Sequence, residues 1–469
     1  MTDRVRRWWL CEDDAMAVAS SLWLDSLTLP QRAALNGDLE VDVAIVGGGF
    51  TGLWTAYYLK QLDPSRSVMV IERNHVGFGA SGRNGGWAVG ELAAGVERYA
   101  SWSSHEAAMR LWRAAFDAVD EIGRVASAEG IECGYAKGGT IRWARNPAQA
   151  KRQVEEVTHE HANGFGEEDF RLLTPDEASA IGNATDIHSG IFFAHTAALD
   201  PARLVVGLAD ACERAGVVIV ERTTVEAMGD RSVITDRGTV RAGHIVRATE
   251  GYTRDIDGER RRLLPTYSRM VATEPLPADI WDEIGLGSRP TFSDDRYMVI
   301  YGQRTEDDRI AFGGRGIPYL FGSTIDPSGE VSDASHAKVL TALYDLFPAL
   351  RGVEITHRWG GVLGIPRDWM PFVHHDPDGG FLAAGGYVGE GVAPSNLAGR
   401  TMAELIVGAD SERVGLPWVK ALPRRWEPEP LRWLGVRGSY RLMARADQIE
   451  DRGKESKVGM ALANALRGN

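Results

Sequence analysis

The run Gly47-Gly48-Gly49-Phe50-Thr51-Gly52 satisfies the G-x-G-x-x-G spacing, and a carboxylate, Glu72, follows its last glycine by 20 residues with Arg73 beside it. Those residue types at that spacing bind a dinucleotide. Gly47 permits the tight turn, Gly49 lets the backbone approach a pyrophosphate, and Gly52 lets a helix pack on a strand. Phe50 and Thr51 open a helix whose positive N-terminal end favours phosphate charge. Glu72 is spaced to accept hydrogen bonds from a ribose diol. The motif does not choose between a nicotinamide and a flavin dinucleotide.

Two more glycine-rich runs stand out. Gly77-Phe-Gly79-Ala80-Ser81-Gly-Arg83-Asn84-Gly85-Gly86 offers many backbone N–H groups, a hydroxyl, a cation and an amide with little steric bulk. Phe381 to Val392 carries Tyr387, Gly389, Glu390 and Gly391. The chain has 54 glycines in 469 residues, and 20 of them fall within 47–90 and 360–399. The excess over a usual ~7% is therefore backbone kept thin at particular places.

The elements that position these runs follow from hydrophobic pattern. Residues 41–46 read as a buried strand, 50–62 as a helix and 67–71 as a second strand, the opening of a parallel α/β sheet. Residues 103–129 form an amphipathic helix, 139–143 a strand, and 145–182 a charged helical stretch. Pro201 begins a helix through Ala215, with Asp200 before it and Gly216 after it. Strands follow at 217–220 and 244–248. Residues 263–350 alternate short strands and turns and end in a helix at 336–347. Residues 381–407 return to strand, glycine turn and helix. The expected fold is α/β: a discontinuous, doubly wound nucleotide-binding domain (41–98, 196–262 and 354–412) with an inserted α+β domain on a mixed sheet (99–195 and 263–353). A lead-in at 1–40 and an extension at 413–469 flank them.

Composition narrows the partners. With 52 basic and 65 acidic residues the net charge is −13. Nucleic-acid affinity comes mainly from basic side chains on phosphates, so no nucleic-acid partner is expected and anionic lipid is disfavoured for the same reason. No apolar run reaches the ~18 residues of a membrane span. Arg6-Arg7-Trp8-Trp9-Leu10-Cys11 lacks the apolar stretch of an export signal, because Glu12-Asp13-Asp14 follows at once. Cys11, Cys133 and Cys212 form no C-x-x-C, which suits a reducing cytoplasm. His374-His375-Asp376 would alternate across a strand, and His159 and His161 diverge on a helix, so no metal site is expected.

In the run Ala80 to Gly86 the sequence resembles the D-amino-acid-oxidase-like superfamily of FAD oxidoreductases, and more narrowly the bacterial amine oxidases of the gamma-glutamylputrescine oxidase type. The match extends from about Ser21 to about Gly435. The resemblance implies a Rossmann-like FAD-binding domain with an inserted substrate domain. It places 80–86 past the pyrophosphate and flavin, Val225 at the adenine, and Ala248-Thr249-Glu250-Gly251 in the following turn. The glycine turn Gly389-Glu390-Gly391 and the helix from Val392 would lie against the flavin, the helix end favouring the reduced anion.

The resemblance implies hydride transfer from the carbon beside a neutral amine to flavin N5, giving an imine that hydrolyses. Aromatic walls would desolvate the amine. Trp87 and Tyr387 abut the flavin loops; Tyr301 and Trp359 are further candidates, though core packing is the ordinary reading for these two. Leu363 stands where amino-acid oxidases of the superfamily often carry an arginine for carboxylate, which favours an amine. Arg315 would be an anion partner or a solvated strand-end arginine. Glu390 replaces a usual histidine and would bind an ammonium group or a neighbouring loop. Some relatives attach flavin through a histidine at the place of Arg83 or a cysteine near Trp359; neither is present, so noncovalent FAD is expected. Ala311 stands where some oxidases place an oxygen-activating lysine, so O2 or another acceptor takes the electrons. A secondary amino acid or aminophosphonate substrate remains open, and a tRNA-modifying role is disfavoured by charge.

Overall fold

The computed structural model describes residues 21–314, 319–326, 329–457, 459 and 461. Two eight-stranded sheets organise them. The first sheet runs Phe372–Asp376, Phe381–Gly385, Gly238–Arg247, Leu39–Val46, Val68–Ile71, Val218–Val220. The last five of these strands are parallel. In the central strands Val43 to Val46, Val68 to Ile71 and Ile245 to Val246 are buried on both faces, as a parallel sheet requires.

Three helices, Phe50–Leu62, Pro201–Arg214 and Val392–Val407, share one core with Val43, Ile45 and Val70 through Leu53, Leu208 and Leu397. The predicted Asp200 cap is present, its carboxylate accepting the N–H groups of Ala202 and Arg203. The opposite face is covered by a meander, Val225–Gly229 and Ser232–Thr235 folding back on Gly238–Arg247, around Ala44, Val46 and Val233.

The second sheet runs Ile355–Ile365, Leu264–Thr273, Ile310–Gly314, Ile300–Arg304, Thr291–Asp294, Thr140–Ala144, Ser189–Phe193, Phe170–Leu173. It is mixed: Thr291–Asp294 pairs parallel with Thr140–Ala144 and the remaining pairs are antiparallel. The helix Asp333–Leu346 covers it through Val339 and Leu343, against Val271, Phe292 and Phe312.

Two local readings change. Residues 145–182 are not one helical stretch but helices Pro147–Asn163 and Pro175–Ile181 with the strand Phe170–Leu173 between. Gly164, at φ +110°, ends the first helix, and a Thr174–Glu177 capping box starts the second. The amphipathic helix forms as His105–Glu129, but Leu111, Trp112, Phe116 and Ile122 pack into the same core as Leu53 and Leu397. It thus rests on the layer of helices over the first sheet.

Candidate active site

The fingerprint folds as its glycines require. Gly47 has φ +113°, and a Cβ at Gly52 would sit 2.1 Å from the Gly47 carbonyl oxygen. Any larger residue would push the helix Phe50–Leu62 off its strand. The Gly48 N–H donates to Glu72 Oε2 at 2.8 Å and the Asn74 N–H to Glu72 Oε1 at 2.9 Å. Burial pushes the Glu72 carboxyl up while those two N–H groups oppose it. The second glycine run docks here through Ser81, whose Oγ accepts the Phe50 N–H at 2.9 Å.

One cavity runs along both glycine runs and reaches the second sheet. Gly47, Gly49, Phe50, Thr51, Glu72 and Arg73 line it, as do Gly79, Ala80, Ser81, Arg83, Asn84 and Gly85, then Val225, Thr249, Gly389, Glu390, Gly391 and Val392. Gly52 and Gly86 lie behind this lining. Gly52 serves the helix–strand contact, and a Cβ at Gly86 would meet the Leu199 carbonyl oxygen at 2.2 Å. The thin backbone and the helix N-terminus fit a pyrophosphate-bearing cofactor.

Arg83 lines the cavity, yet its guanidinium is held elsewhere. Nη1 pairs with Glu330 Oε2 at 3.0 Å and donates to the Gly360 carbonyl at 3.2 Å, while Nε donates to the Phe78 carbonyl at 2.9 Å. Both ends of the pair are almost fully buried. Burial outweighs Arg83 and pushes the Glu330 carboxyl up to about 7. Arg73 pairs with Asp255 at 3.0 Å and lies over the Tyr252 ring.

At the other end of the cavity Trp87 meets Tyr301 edge-on, with ring centroids 5.9 Å apart. The Tyr301 hydroxyl lies 2.5 Å from Ser268 Oγ. Trp87 Nε1 is buried without a hydrogen-bond partner among the described residues. Ser268, Met270, Val299 and Leu363 complete this wall. Met270, Ser268 and Val299 were not singled out in the sequence; strand alternation at Ser268 and Met270 is the only signal for them. Tyr387 is buried and also lines the cavity, its phenol raised by desolvation.

Trp359 is the candidate that departs. It is fully buried, does not line the cavity, meets Trp23 edge-on at 6.3 Å and donates Nε1–H to the Arg83 carbonyl at 2.9 Å. The short helix Leu22–Asp25 covers that part of the strand and makes Trp359 core. Arg315 lies outside the described residues, as do Cys11 and the segment 6–14.

His159 pairs with Glu97, His161 meets the Phe170 carbonyl and His374 the Lys420 carbonyl. Among the described residues no group of three His, Cys, Asp or Glu is poised for a metal, and no helix is long and apolar enough to cross a membrane. Cys133 and Cys212 are buried and unpaired, and burial pushes the Cys133 thiol up to about 11.

Known proteins agree with this geometry. Residues 42–405 match the family model described as DAO, FAD dependent oxidoreductase. The chain is 31% identical over 388 residues to gamma-glutamylputrescine oxidoreductase of Escherichia coli, covering 81% of this chain and 86% of that one. It is 29% identical over 392 residues to a probable oxidoreductase, OrdL, of Haemophilus influenzae, covering 80% and 85%. Among solved structures, glycine oxidase from Bacillus cereus superposes with a TM-score of 0.66 at 21% identity, covering 82% of this chain and 99% of that one. L-proline dehydrogenase from P. horikoshii superposes with a TM-score of 0.65 at 20% identity, covering 86% and 99%. A glycine fingerprint on a parallel sheet, a second sheet closing its cavity, and matches spanning most of the sequence lead to one assignment: the chain belongs to the DAO family of FAD-dependent oxidoreductases.

Proposed function

We propose that this enzyme oxidises a small primary or secondary amine whose reacting carbon bears no carboxylate. The observation that carries this reading is the wall at the second-sheet end of the cavity, where Trp87, Met270, Val299, Tyr301 and Leu363 present apolar and aromatic surface. Burial against such a wall disfavours an ammonium ion and favours the neutral amine that can give up a hydride. The bound FAD supplies the hydride acceptor and the protein supplies orientation. Leu363 lines the cavity, and the family resemblance puts it where amino-acid oxidases often carry a carboxylate-binding arginine. Glu390, on the turn bordering the cavity, provides a carboxylate for a second cationic group of the substrate. The similarity to an enzyme named for gamma-glutamylputrescine, an amine, supports the same class.

Trp87 and Tyr301 orient the reacting carbon, and the Ser268–Tyr301 hydroxyl pair fixes the Tyr301 ring. Hydrolysis of the imine product yields an aldehyde and an amine or ammonia. Electrons then pass to O2 or another acceptor, and Ala311 on the neighbouring strand offers no cation to assist oxygen.

An anaerobic panel of diamines, monoamines and amino acids, read by loss of the yellow flavin absorbance, tests the reading. Bleaching by amines and not by amino acids is expected; bleaching by amino acids alone overturns it. Admitting air afterwards separates oxidase from dehydrogenase by the speed at which colour returns.

A further inference from the structure

Glu250 has no role in the reading above. It follows the strand Gly238–Arg247 and lines the cavity. Its φ is +42°, in the left-handed region, where a residue other than glycine persists only when its surroundings hold it. The carboxylate accepts the N–H of Gly386 at 3.0 Å and of Tyr387 at 3.3 Å, and the N–H of Gly364 as well. Gly386 and Tyr387 belong to the glycine turn after the first-sheet strand Phe381–Gly385. Gly364 belongs to the second-sheet strand Ile355–Ile365, next to the cavity-lining Leu363.

The space around this carboxylate is kept clear for it. A Cβ at Gly364 or at Gly385 would come within 2.8 Å of Glu250 Oε2. No cation offsets it among the described residues. From the glycine turn it faces Tyr387; from the second-sheet strand it faces Gly364; Leu263 adds apolar packing nearby. Burial therefore pushes the carboxyl up to about 7 against three backbone N–H groups.

We propose that Glu250 is a positioning residue of the flavin site, a carboxylate that joins the two sheets by holding the Gly386–Tyr387 turn to Gly364 and whose charge the bound flavin senses. The proposal rests on the cofactor and not on the substrate, so its failure leaves the amine reading untouched. A carboxylate with no cationic partner among the described residues of the cavity wall gives the flavin an environment that changes when that group gains a proton.

The test uses the oxidised holoenzyme without substrate. Its visible flavin spectrum is titrated from about pH 5 to about pH 9, a window that spans the raised carboxyl. The expected result is a spectral transition with its midpoint near 7, lost in Glu250→Gln with flavin still bound, and kept in Tyr387→Phe, which retains the Tyr387 N–H. Glu250→Gln should also move the flavin reduction potential to more positive values, because a negative charge is removed from the wall. A transition that survives in Glu250→Gln, or none in the unmodified protein, overturns the proposal. If Glu250→Gln loses its flavin, Glu250→Asp decides: a displaced midpoint supports the assignment and an unmoved one overturns it.

Discussion

The Tyr387 hydroxyl lies 2.9 Å from the Thr51 hydroxyl, so the glycine turn on the C-terminal side of the first sheet is tied to the first turn of the fingerprint helix. Both groups are buried, and each is the other's means of satisfaction across the cofactor cavity. Tyr387→Phe leaves the Thr51 hydroxyl to its own devices and should cost about 1 kcal/mol. Denaturant unfolding of the holoenzyme measures it, with flavin content retained.

Glu390 borders the cavity on the same turn. Glu390→Gln should raise KM for a cationic substrate by about tenfold while kcat and flavin content stay near their original values, since a charge-assisted contact contributes about 1.5 kcal/mol. Steady-state kinetics with a diamine and a monoamine check this, and the monoamine should be less affected.

Trp87 packs edge-on against Tyr301 at the wall. Trp87→Phe keeps an aromatic face and should retain most activity; Trp87→Ala should lower kcat/KM at least tenfold through lost positioning and wall area. Rapid anaerobic reduction of the flavin resolves whether the loss lies in binding or in the hydride step.

Flavin attachment is a separate expectation. The sequence offers no histidine at position 83 and no cysteine near Trp359, and Arg83 is occupied by Glu330. Acid precipitation should release the yellow colour into the supernatant; a coloured pellet would show a covalent bond.

Asp447 lies on the helix Leu431–Glu450 and accepts the Tyr297 N–H at 2.7 Å and the Met298 N–H at 3.0 Å, next to the cavity-lining Val299. Burial raises its carboxyl from 3.8 to about 6 despite those two N–H groups. Because the folded value exceeds the unfolded one, its contribution to stability is fully present below the unfolded value and is lost as pH rises through about 6. The stability of the unmodified protein relative to Asp447→Asn should therefore fall between about pH 4 and about pH 7, by at most ~3 kcal/mol. Denaturant melts of the two proteins across that range give the difference directly.

What the sequence disclosed and what it concealed follow from range. Gly47 to Gly52, Glu72 and the strands around them are read from spacing, because a tight turn and a close backbone approach are local demands. The cap at Asp200 and the end of the helix at Glu129 were equally local. For Trp359 the sequence left a cavity role open beside core packing, because its cover, the helix Leu22–Asp25, comes from the far end of the chain. The guanidinium of Arg83 meets a carboxylate 247 residues away, and no spacing rule announces such a pair. Glu250 carried a faint signal, a carboxylate just past a buried strand end, but its three N–H partners lie on segments more than a hundred positions on.

The strand Leu39–Val46 pairs with Val68–Ile71 on one edge and with Gly238–Arg247 on the other, and that strand in turn waits for Phe381–Gly385. During translation the nucleotide fingerprint leaves the ribosome long before the edges that enclose it exist. The early chain exposes an unpaired parallel strand, a template for wrong partners and a natural client for chaperones. The cavity is accordingly complete only when the last glycine turn arrives, and a chain truncated before it is expected to be colourless.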